Sequence, residues 1–498
     1  MATSNHIQTI ETAEERHWRY ALWAVSAVTM LRLAWLFADR LDLYPDEAQY
    51  WLWAQAPSIG YYSKPPLVAW LIATTTAFLG NAEAGVRFSA PLLHLGAAFF
   101  IYGIAKRLYD SRVAAWSAVV YATLPGISAS SIIISTDAPL LFFWAAALYG
   151  FLRAREPGGV RWWIGVGIAA GLGLLSKYAM AYWLVSALVY LLIVRDERKH
   201  LPGFLVASLI SLLVYLPNFV WNWLNGFQSY KHTGDNADIG NAGIHPGAFL
   251  EFGGSQFGVF GPILFAALIF FALTQGRRLL RPPASLLAWF ALPTLVMMLG
   301  LSMATRAHPN WSAPTYVSGT ILVVALLLER GWGRLVSISV AIHIVAVVAL
   351  LGAKDISAAI GMEIPGKYDP LHRLRGWKTI GRVVTQTLAR TPNATLLCDD
   401  REDLASLLYY VQPPVAGKWN AVGGIHDWFD ATRDISQDIG ADFLLVSRRK
   451  QLGVVADYFN EIGPIQHITV PVGRGEQRDY LMVELKGFKG YRLPPAAK

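Results

Sequence analysis

Long apolar runs recur along the first 352 residues and constrain the fold more than any other feature of the chain. A helix that crosses the hydrocarbon core of a bilayer needs about 20 apolar residues. The segment at 66–79 is predicted to be an interfacial or re-entrant helix, because a full crossing there would break the charge pattern of the loops. The sequence therefore predicts an all-α polytopic membrane protein with about eleven spans, at residues 20–38, 86–105, 113–131, 136–152, 162–176, 179–194, 203–220, 256–273, 284–303, 313–328 and 334–352.

The composition supports a membrane protein and argues against a nucleic-acid-binding one. Of the 498 residues, 54% are hydrophobic and 15% are charged, whereas soluble domains carry about 25% charged residues. The net charge of +8 is explained by basic cytoplasmic loops, and no basic-aromatic pattern indicates nucleic acid. The single cysteine, Cys398, excludes an intramolecular disulfide and a cysteine-based metal cluster. No small-residue cleavage site follows the first apolar run, which predicts an uncleaved span.

Basic residues predict the orientation, since cytoplasmic loops carry an excess of Lys and Arg. They fall on alternate loops and place the N-terminus in the cytoplasm. The opposite loops, among them 39–85, 221–255 and 304–312, are then extracytoplasmic and carry most of the polar residues that could act in chemistry. The clusters are Arg16 and Arg19; Lys106, Arg107 and Arg112; Arg153, Arg155 and Arg161; Arg195, Arg198 and Lys199; Arg277, Arg278 and Arg281; and Arg330 and Arg334.

The composition changes after residue 352, where the chain becomes charged, mixed and rich in turns. Short β-like runs occur at 394–398, 443–447, 465–472 and 480–485, with helical patterns at 404–411 and 454–462. Such alternation predicts a small α/β domain. We therefore expect a transmembrane domain at 1–352 and an extracytoplasmic α/β domain at 353–498.

The first extracytoplasmic loop, 39–85, holds the candidates for acid–base chemistry. Pro45 precedes Asp46 and Glu47, and the helix-like sequence that follows predicts that these acids lie at a helix N-terminus. A carboxylate there can act as a general base toward an acceptor hydroxyl, although adjacent acids in such a turn are often only solvated.

Lys64 stands before Pro65 and Pro66 in the same loop. The residue before a proline is held extended, so the lysine is presented from a rigid turn. It could bind a lipid phosphate as a point cation, or it could be an interfacial lysine whose ammonium reaches water.

Two charged residues lie at the outer ends of later spans. Asp137, in a Ser-Thr-Asp-Ala-Pro sequence, could be a plain helix cap, but an acid at a membrane boundary often marks a site. Lys177 interrupts an apolar stretch on the same predicted side. It could equally be a snorkelling lysine at a span end.

The later extracytoplasmic loops add polar and aromatic residues. Lys231 and His232 lie in the 221–255 loop beside tryptophans, a composition that suits a carbohydrate pocket and equally an interfacial belt. Arg306 could bind phosphate, and His308 could bind a metal, an acceptor or nothing. No His and acid pair has the spacing of metal ligands on a helix, so no cofactor is predicted, although a divalent metal stays open.

Five spaced motifs resemble the ArnT-like branch of the protein O-mannosyltransferase superfamily of GT-C glycosyltransferases. The resemblance covers roughly residues 15–330 in the right order. In the aminoarabinose transferases of this branch the lysine corner begins with Glu, whereas this chain has Ser63, which puts both aminoarabinose and lipid A in doubt. The motifs are PDEAQYWLW at 45–53, GYYSKPPLVAW at 60–70, STDAPLLFFW at 135–144, GLLSKY at 173–178 and HPNWSAP at 308–314.

The resemblance implies a GT-C fold with interfacial helices in the first extracytoplasmic loop, and a bacterial inner-membrane location. It implies a sugar donor linked to polyprenyl phosphate and an acceptor that is an envelope lipid, lipopolysaccharide, glycan or protein. Asp46 would be the base, with Glu47 beside it, and Asp39 and Asp42 would be solvated loop acids. Lys64 and Tyr62 would contact the donor phosphate, with Asp137 and Lys177 nearby.

Chemistry favours the same function. A lipid-phosphate leaving group needs cations rather than a strong acid, and one carboxylate suffices for a direct inverting displacement. A transporter or flippase of lipid-linked sugars is the alternative. It would place charges at mid-membrane on repeated, broken helices, and the sequence shows no repeat. A membrane scaffold whose C-terminal domain binds a partner is a third hypothesis.

Overall fold

A computed structural model describes residues 2–38, 41–238, 240, 243–305, 307–359, 361, 369, 371–473 and 476–491. The chain forms two compact units. The membrane unit comprises residues 1–38 and 58–348, and the C-terminal unit comprises residues 39–57 and 349–498. The loop at 39–85, predicted to be extracytoplasmic, is therefore divided, because its first part folds with the C-terminal residues.

The chain as far as residue 359 is built from helices, of which α2 belongs to the C-terminal unit. They are α1 (Ala2–Ala38), α2 (Pro45–Gln55), α3 (Leu67–Leu79), α4 (Glu83–Arg87), α5 (Ser89–Leu108), α6 (Ser111–Thr123), α7 (Pro125–Ile132), α8 (Asp137–Arg155), α9 (Trp162–Ser176), α10 (Ala181–Ile193), α11 (Leu201–Leu224), α12 (Gln228–Asn236), α13 (Pro246–Val259), α14 (Pro262–Thr274), α15 (Gly276–Leu279), α16 (Ala284–Ala304), α17 (Thr315–Glu329) and α18 (Gly333–Ala359).

The predicted all-α polytopic architecture is confirmed for the membrane unit. Among the described residues, 6 helices are long and apolar enough to cross a membrane, or up to 8 if each bent pair counts as one span. The exact number of eleven spans stays a prediction. The 13 residues of α3 span about 20 Å, less than the hydrocarbon core, as expected of an interfacial helix.

The core of the membrane unit is packed closely enough to require glycine. A Cβ on Gly171 of α9 would lie 2.5 Å from Val214 of α11, so only glycine allows these two helices to approach as they do. Helix α17 is buried from Thr315 to Leu327. A helix that is apolar on all sides is buried inside a protein or membrane, and α17 is the central helix of this core.

The C-terminal unit is a mixed sheet with helices, as the sequence predicts. Strands β1, β2 and β3 are parallel, and the long β6 runs antiparallel to β3, β4 and β5. The order is β2-β1-β3-β6-β4, with β5 paired to β6 off this path. The elements are α19 (Trp377–Leu388), β1 (Ala394–Cys398), α20 (Arg401–Tyr410), β2 (Ala416–Lys418), α21 (Trp428–Thr432), β3 (Asp442–Ser447), β4 (Phe459–Ile462), β5 (Gln466–Gly473) and β6 (Glu476–Phe488).

The helix predicted at 454–462 is wrong. A 3₁₀ helix covers Gly453–Tyr458, and the chain then becomes strand β4, in which Phe459 pairs with Phe488 and Ile462 with Leu485. The helical spacing of apolar residues is real, but pairing with β6 buries Phe459 in the sheet. Tertiary pairing therefore overrides the local pattern.

The prediction that Asp42 is a solvated acid is also wrong. Asp42 is buried, and its Oδ2 accepts hydrogen bonds from the backbone N–H groups of Trp377 at 2.7 Å and Lys378 at 3.3 Å. These are orphan donors at the start of α19, so Asp42 caps that helix across a sequence separation that no local pattern reveals. Leu43 donates its N–H to the Tyr410 hydroxyl at 2.7 Å. These contacts attach the 39–57 segment to the C-terminal unit.

Replacing Asp42 with Ala should destabilise the protein, because the buried N–H of Trp377 and the part-buried N–H of Lys378 lose their acceptor. The loss of a capping side chain costs about 0.5–2 kcal/mol. D42A should therefore lower the thermal unfolding midpoint of the detergent-purified protein. D42N keeps an acceptor oxygen and should lie between D42A and wild type; equal midpoints for D42A and wild type would contradict the capping role.

A second prediction concerns pH. Asp403 of α20 is fully buried, and burial raises the pKa of its carboxyl from 3.8 to about 7, against the opposing charge of Arg448. Its folded pKa lies above its unfolded value. The stability that it contributes is therefore complete below about pH 4 and is lost as the pH rises through about 7.

D403N removes this titration and keeps the shape of the side chain. The thermal midpoint of D403N relative to wild type should rise between about pH 4 and pH 7, by at most about 1.4 kcal/mol of stability per pH unit. D438N, at an exposed carboxylate, controls for a change of surface charge. A difference between D403N and wild type that stays constant with pH would refute the prediction.

Candidate active site

Helix α2 presents Asp46 and Glu47 differently, although they are adjacent. The helix begins at Pro45, as the sequence predicts, and Glu47 forms a capping box in which its Oε2 accepts the Tyr44 N–H at 2.8 Å. Glu47 is fully buried. Because Glu47 closes the start of the helix, the neighbouring carboxylate of Asp46 is not needed for capping.

Asp46 is held by an arginine from the start of α20. Arg401 Nη1 lies 2.9 Å from Asp46 Oδ1 and 2.6 Å from Gln49 Oε1, so one guanidinium bridges two acceptors on consecutive turns of α2. The side chains of Asp46 and Arg401 are 40% and 35% exposed. Burial lowers the pKa of the Arg401 guanidinium, but the charge of Asp46 and its hydrogen bond raise it overall.

In the membrane unit, Asp137 and Lys177 form an ion pair. Lys177 Nζ lies 2.6 Å from Asp137 Oδ1, and the two side chains are 20% and 10% exposed. Lys177 lies where α9 ends, in extended conformation between α9 and a 3₁₀ turn that leads into α10. This break in the helix turns the lysine toward the first residue of α8. Asp137 is therefore paired with a cation and is not simply a helix cap. The ammonium of Lys177 is bonded to Asp137 rather than extended toward water.

Asn310 completes this network. Its Nδ2 donates to the second oxygen of Asp137, Oδ2, at 2.7 Å. The 3₁₀ turn that carries Asn310 is anchored by the buried Gln256 of α13, whose Oε1 accepts from the Ser312 hydroxyl at 2.7 Å and whose Nε2 donates to the Pro309 carbonyl at 3.3 Å. Both oxygens of Asp137 thus have fixed donors.

A cavity of about 400 Å³, the lysine cavity, lies on one side of this ion pair. It is large enough for a small ligand. Its charged lining residues are Lys64 and Lys177, and no carboxylate of the described residues lines it. Ser63 lines it beside Lys64. The other lining residues are Pro65, Leu140, Tyr178, Ala179, Tyr182, Thr233, Gly234, Asn236, Ala237, Met297, Met298, Leu301, Trp311 and Pro314.

The turn that carries Lys64 is held against α11. Asn218 donates its Nδ2 to the Ile59 carbonyl at 2.8 Å. A Cβ on Gly60 would lie 2.5 Å from the ring of Trp221, so glycine is required for this close approach. Trp221 therefore packs directly against the backbone of this loop at Gly60.

A second cavity, of about 390 Å³, is lined by Asp137, His308 and Asn310. The rest of its wall is largely apolar, from α7, α8 and the neighbourhood of α17. His308 lies edge-to-face against Trp311, with ring centroids 5.3 Å apart. Asp137 faces this cavity and Lys177 the lysine cavity, so the ion pair lies between them.

The remaining predicted site residues are distributed unevenly. Tyr62 packs against His232, with ring centroids 5.6 Å apart. Lys231 is exposed on α12 and lines neither cavity. Arg306 lies outside the described residues. Within the described part of the chain, no group of three or more His, Cys, Asp or Glu could hold a metal ion.

Sequence reasoning missed Arg401 and Gln49. Gln49 was visible only as a polar residue three positions after Asp46, the spacing that places two side chains on one face of a helix. Arg401 follows two acids in the Asp399–Asp400 pair, but nothing local links it to a residue 355 positions earlier. That contact could be found only in the folded chain.

Comparisons with known proteins bear on this geometry. A family model described as dolichyl-phosphate-mannose-protein mannosyltransferase matches residues 63–221. The lipid A galacturonosyltransferase RgtD of Rhizobium johnstonii is 32% identical over 392 residues, which are 78% of this chain and 82% of the relative. An undecaprenyl phosphate-α-4-amino-4-deoxy-L-arabinose arabinosyl transferase of Pseudomonas aeruginosa is 32% identical over 197 residues, 35% of either chain.

A solved structure has the same fold. The crystal structure of ArnT from Cupriavidus metallidurans bound to undecaprenyl phosphate superposes with a TM-score of 0.64 at 17% identity, over 92% of this chain and 97% of that one. The named relatives are transferases, which favours the enzyme over the transporter alternative. The chain therefore belongs to the ArnT-like branch of the GT-C superfamily, and it is an integral membrane glycosyltransferase that takes its sugar from a polyprenyl phosphate.

Proposed function

We propose that this protein transfers a uronic acid of the galacturonic acid type from polyprenyl phosphate to the lipid A part of lipopolysaccharide. The observation that carries the proposal is the similarity to the lipid A galacturonosyltransferase of Rhizobium johnstonii, which extends over 78% of this chain. The match to the aminoarabinose transferase covers only 35% of it. The reservation about lipid A that Ser63 raised concerns the aminoarabinose branch and does not extend to this relative.

The charges of the lysine cavity support an acidic donor. A polyprenyl-phosphate uronic acid carries two anionic groups, a phosphate and a sugar carboxylate, and the cavity offers two ammonium groups, on Lys64 and Lys177. Charge-assisted hydrogen bonds to such groups are the strong ones. Ser63 stands where the aminoarabinose transferases have Glu, so the corner lacks an acid that would attract a cationic sugar and repel a uronate.

Asp46 is proposed as the general base and Lys64 as the contact of the leaving phosphate. The carboxylate takes the proton of the acceptor hydroxyl, whose oxygen attacks the anomeric carbon as the bond from that carbon to the phosphate oxygen breaks. The electron pair leaves with the lipid phosphate, whose charge Lys64 stabilises. One displacement inverts the anomeric configuration. Glu47 is proposed to act only in capping, because it is fully buried and bonded to Tyr44.

Asp137 and Lys177 are proposed to shape the donor site. Because Asp137 is fixed by Asn310 and Lys177, its charge holds the Lys177 ammonium at the wall of the lysine cavity. Tyr62 and His232 are proposed to border the donor through their mutual packing. Lys231, Arg306 and His308 stay predictions as substrate contacts.

The topology is part of the proposal. We place the protein in the bacterial inner membrane with a cytoplasmic N-terminus, as the alternation of basic loops indicates. The membrane unit then carries the donor site, and the C-terminal unit is extracytoplasmic.

Asp46→Asn should abolish transfer. Loss of a general base costs about 10²–10⁴-fold in rate, so purified D46N given polyprenyl-phosphate galacturonic acid and lipid A should form almost no product by mass spectrometry. Glu47→Gln is the matched control, since it keeps the oxygen that caps α2 and should stay within a few-fold of wild type. Full activity of D46N would remove Asp46 as the base, and absence of galacturonosyl lipid A with wild type would refute the proposed function.

The two cavity lysines should differ in their effects. Lys64→Ala removes a charge-assisted contact worth about 1.5–3 kcal/mol and should raise the donor KM by about 10–100-fold. Lys177→Met should weaken donor binding and also leave the Asp137 carboxylate without its cation, so its thermal midpoint should fall. Lys199→Met, at an exposed lysine, should change neither the midpoint nor the KM. A wild-type donor KM for K64A would contradict the phosphate contact.

A further inference from the structure

We infer that Arg401 is a positioning residue for Asp46, so that the C-terminal unit orients the base of the reaction. The inference rests on the proposed function, because it takes Asp46 to be that base. It assigns to residues far along the chain a part in the chemistry beyond the binding of substrate.

One guanidinium nitrogen of Arg401 holds two acceptors on helix α2. Arg401 Nη1 is bonded both to Asp46 Oδ1, at 2.9 Å, and to Gln49 Oε1, at 2.6 Å. Gln49 is itself buried, so the guanidinium has a fixed second anchor on the same face of α2. The arginine binds Oδ1, and Oδ2 is the oxygen that we assign to taking the proton of the acceptor.

The backbone of Arg401 is held in a fixed position. It is the first residue of α20, whose N-terminus is capped by Asp400, with Oδ1 accepting the N–H groups of Glu402 at 2.8 Å and Asp403 at 3.1 Å. Glu402 pairs with Arg373, which fixes the same turn. A site held by the termini of capped helices is more precise than one held by a loop.

Helix α2, which carries Asp46, is also held in a fixed position. The capping box of Glu47 closes its first turn, and Trp51 packs edge-to-face on Tyr409 of α20, with ring centroids 4.9 Å apart. Arg373 lies over the ring of Tyr44, 4.5 Å from its centroid. The partners of the Asp46–Arg401 pair therefore cannot move far from each other.

The Asp46–Arg401 ion pair serves to position Asp46 rather than to stabilise the fold. Both side chains are more than one third exposed, and ion pairs at that exposure contribute little to stability. The fold does not need this pair, since Asp42 and the aromatic contacts attach α2 to the C-terminal unit. A fixed base is, however, what a displacement needs, because a misplacement of about 1 Å costs about 100-fold in rate.

Arginine rather than lysine suits this role. Its planar fork presents several donors in a fixed geometry, whereas an ammonium is a single flexible point charge. A lysine at position 401 would supply the charge but not the bridge from Asp46 to Gln49.

The test compares three variants of the full-length protein in detergent, with polyprenyl-phosphate galacturonic acid as donor and lipid A as acceptor. Arg401→Met should lower kcat by about 10–100-fold and leave the donor KM and the thermal midpoint close to wild type. Arg401→Lys should recover part of the lost kcat. Arg449→Met is the matched control, because Arg449 is an arginine of similar exposure that forms an ion pair, with Asp399, in the same unit, and it should keep wild-type kcat.

The outcomes distinguish the two proposals. If D46N is inactive and R401M keeps wild-type kcat, the positioning role is overturned and the base stands. If R401M loses activity together with a fall in midpoint as large as that of D42A, and R401K recovers nothing, the residue serves folding and the inference is overturned. If D46N is fully active, the proposed base fails, and the inference fails with it.

Discussion

The buried carboxylate of Asp42 is the contact on which the arrangement of the candidate base depends. Because it caps α19, the segment that follows α1 folds with the C-terminal unit. Helix α2 begins three residues later, so the contact of Asp42 with α19 also fixes where α2 begins. Asp46 then forms an ion pair with Arg401, and Glu47 caps the N-terminus of α2. A pair of adjacent acids is thereby separated into a structural residue and a candidate base.

The membrane unit is organised around a different charge pair. Helix α9 stops at Ser176, and the extended residue that follows it, Lys177, turns its ammonium to Asp137 at the start of α8. In apolar surroundings an ion pair is stable only when its remaining hydrogen-bonding capacity is met. Asn310 meets it for Asp137, and Gln256 anchors the turn that carries Asn310. Lys177 thus lies at the wall of a cavity that Lys64 also lines.

Much of this could be predicted from the chain alone, where the signal is local. The apolar runs and the short helix α3 are in place, and the strands predicted at 394–398 and 443–447 match β1 and β3 within one residue. The motifs that contain Asp137 and Lys177 are brought together by an ion pair between these residues. The errors are of one kind. Asp42 and the segment at 454–462 were assigned from their neighbours in sequence, whereas α19 and β6, far away in sequence, decide their structure.

The sequence by itself determined the class of the protein, its membrane helices and the residue types of the candidate site. These follow from hydrophobic length and from motif spacing, which are properties of short segments. Only the tertiary structure decided that residues 39–57 fold with the C-terminal unit, that Arg401 holds Asp46, and that Lys64 and Lys177 share one cavity. The physical reason is that capping, ion pairing and cavity walls join groups distant in sequence. Such contacts produce no periodic pattern of residues along the chain from which they could be predicted.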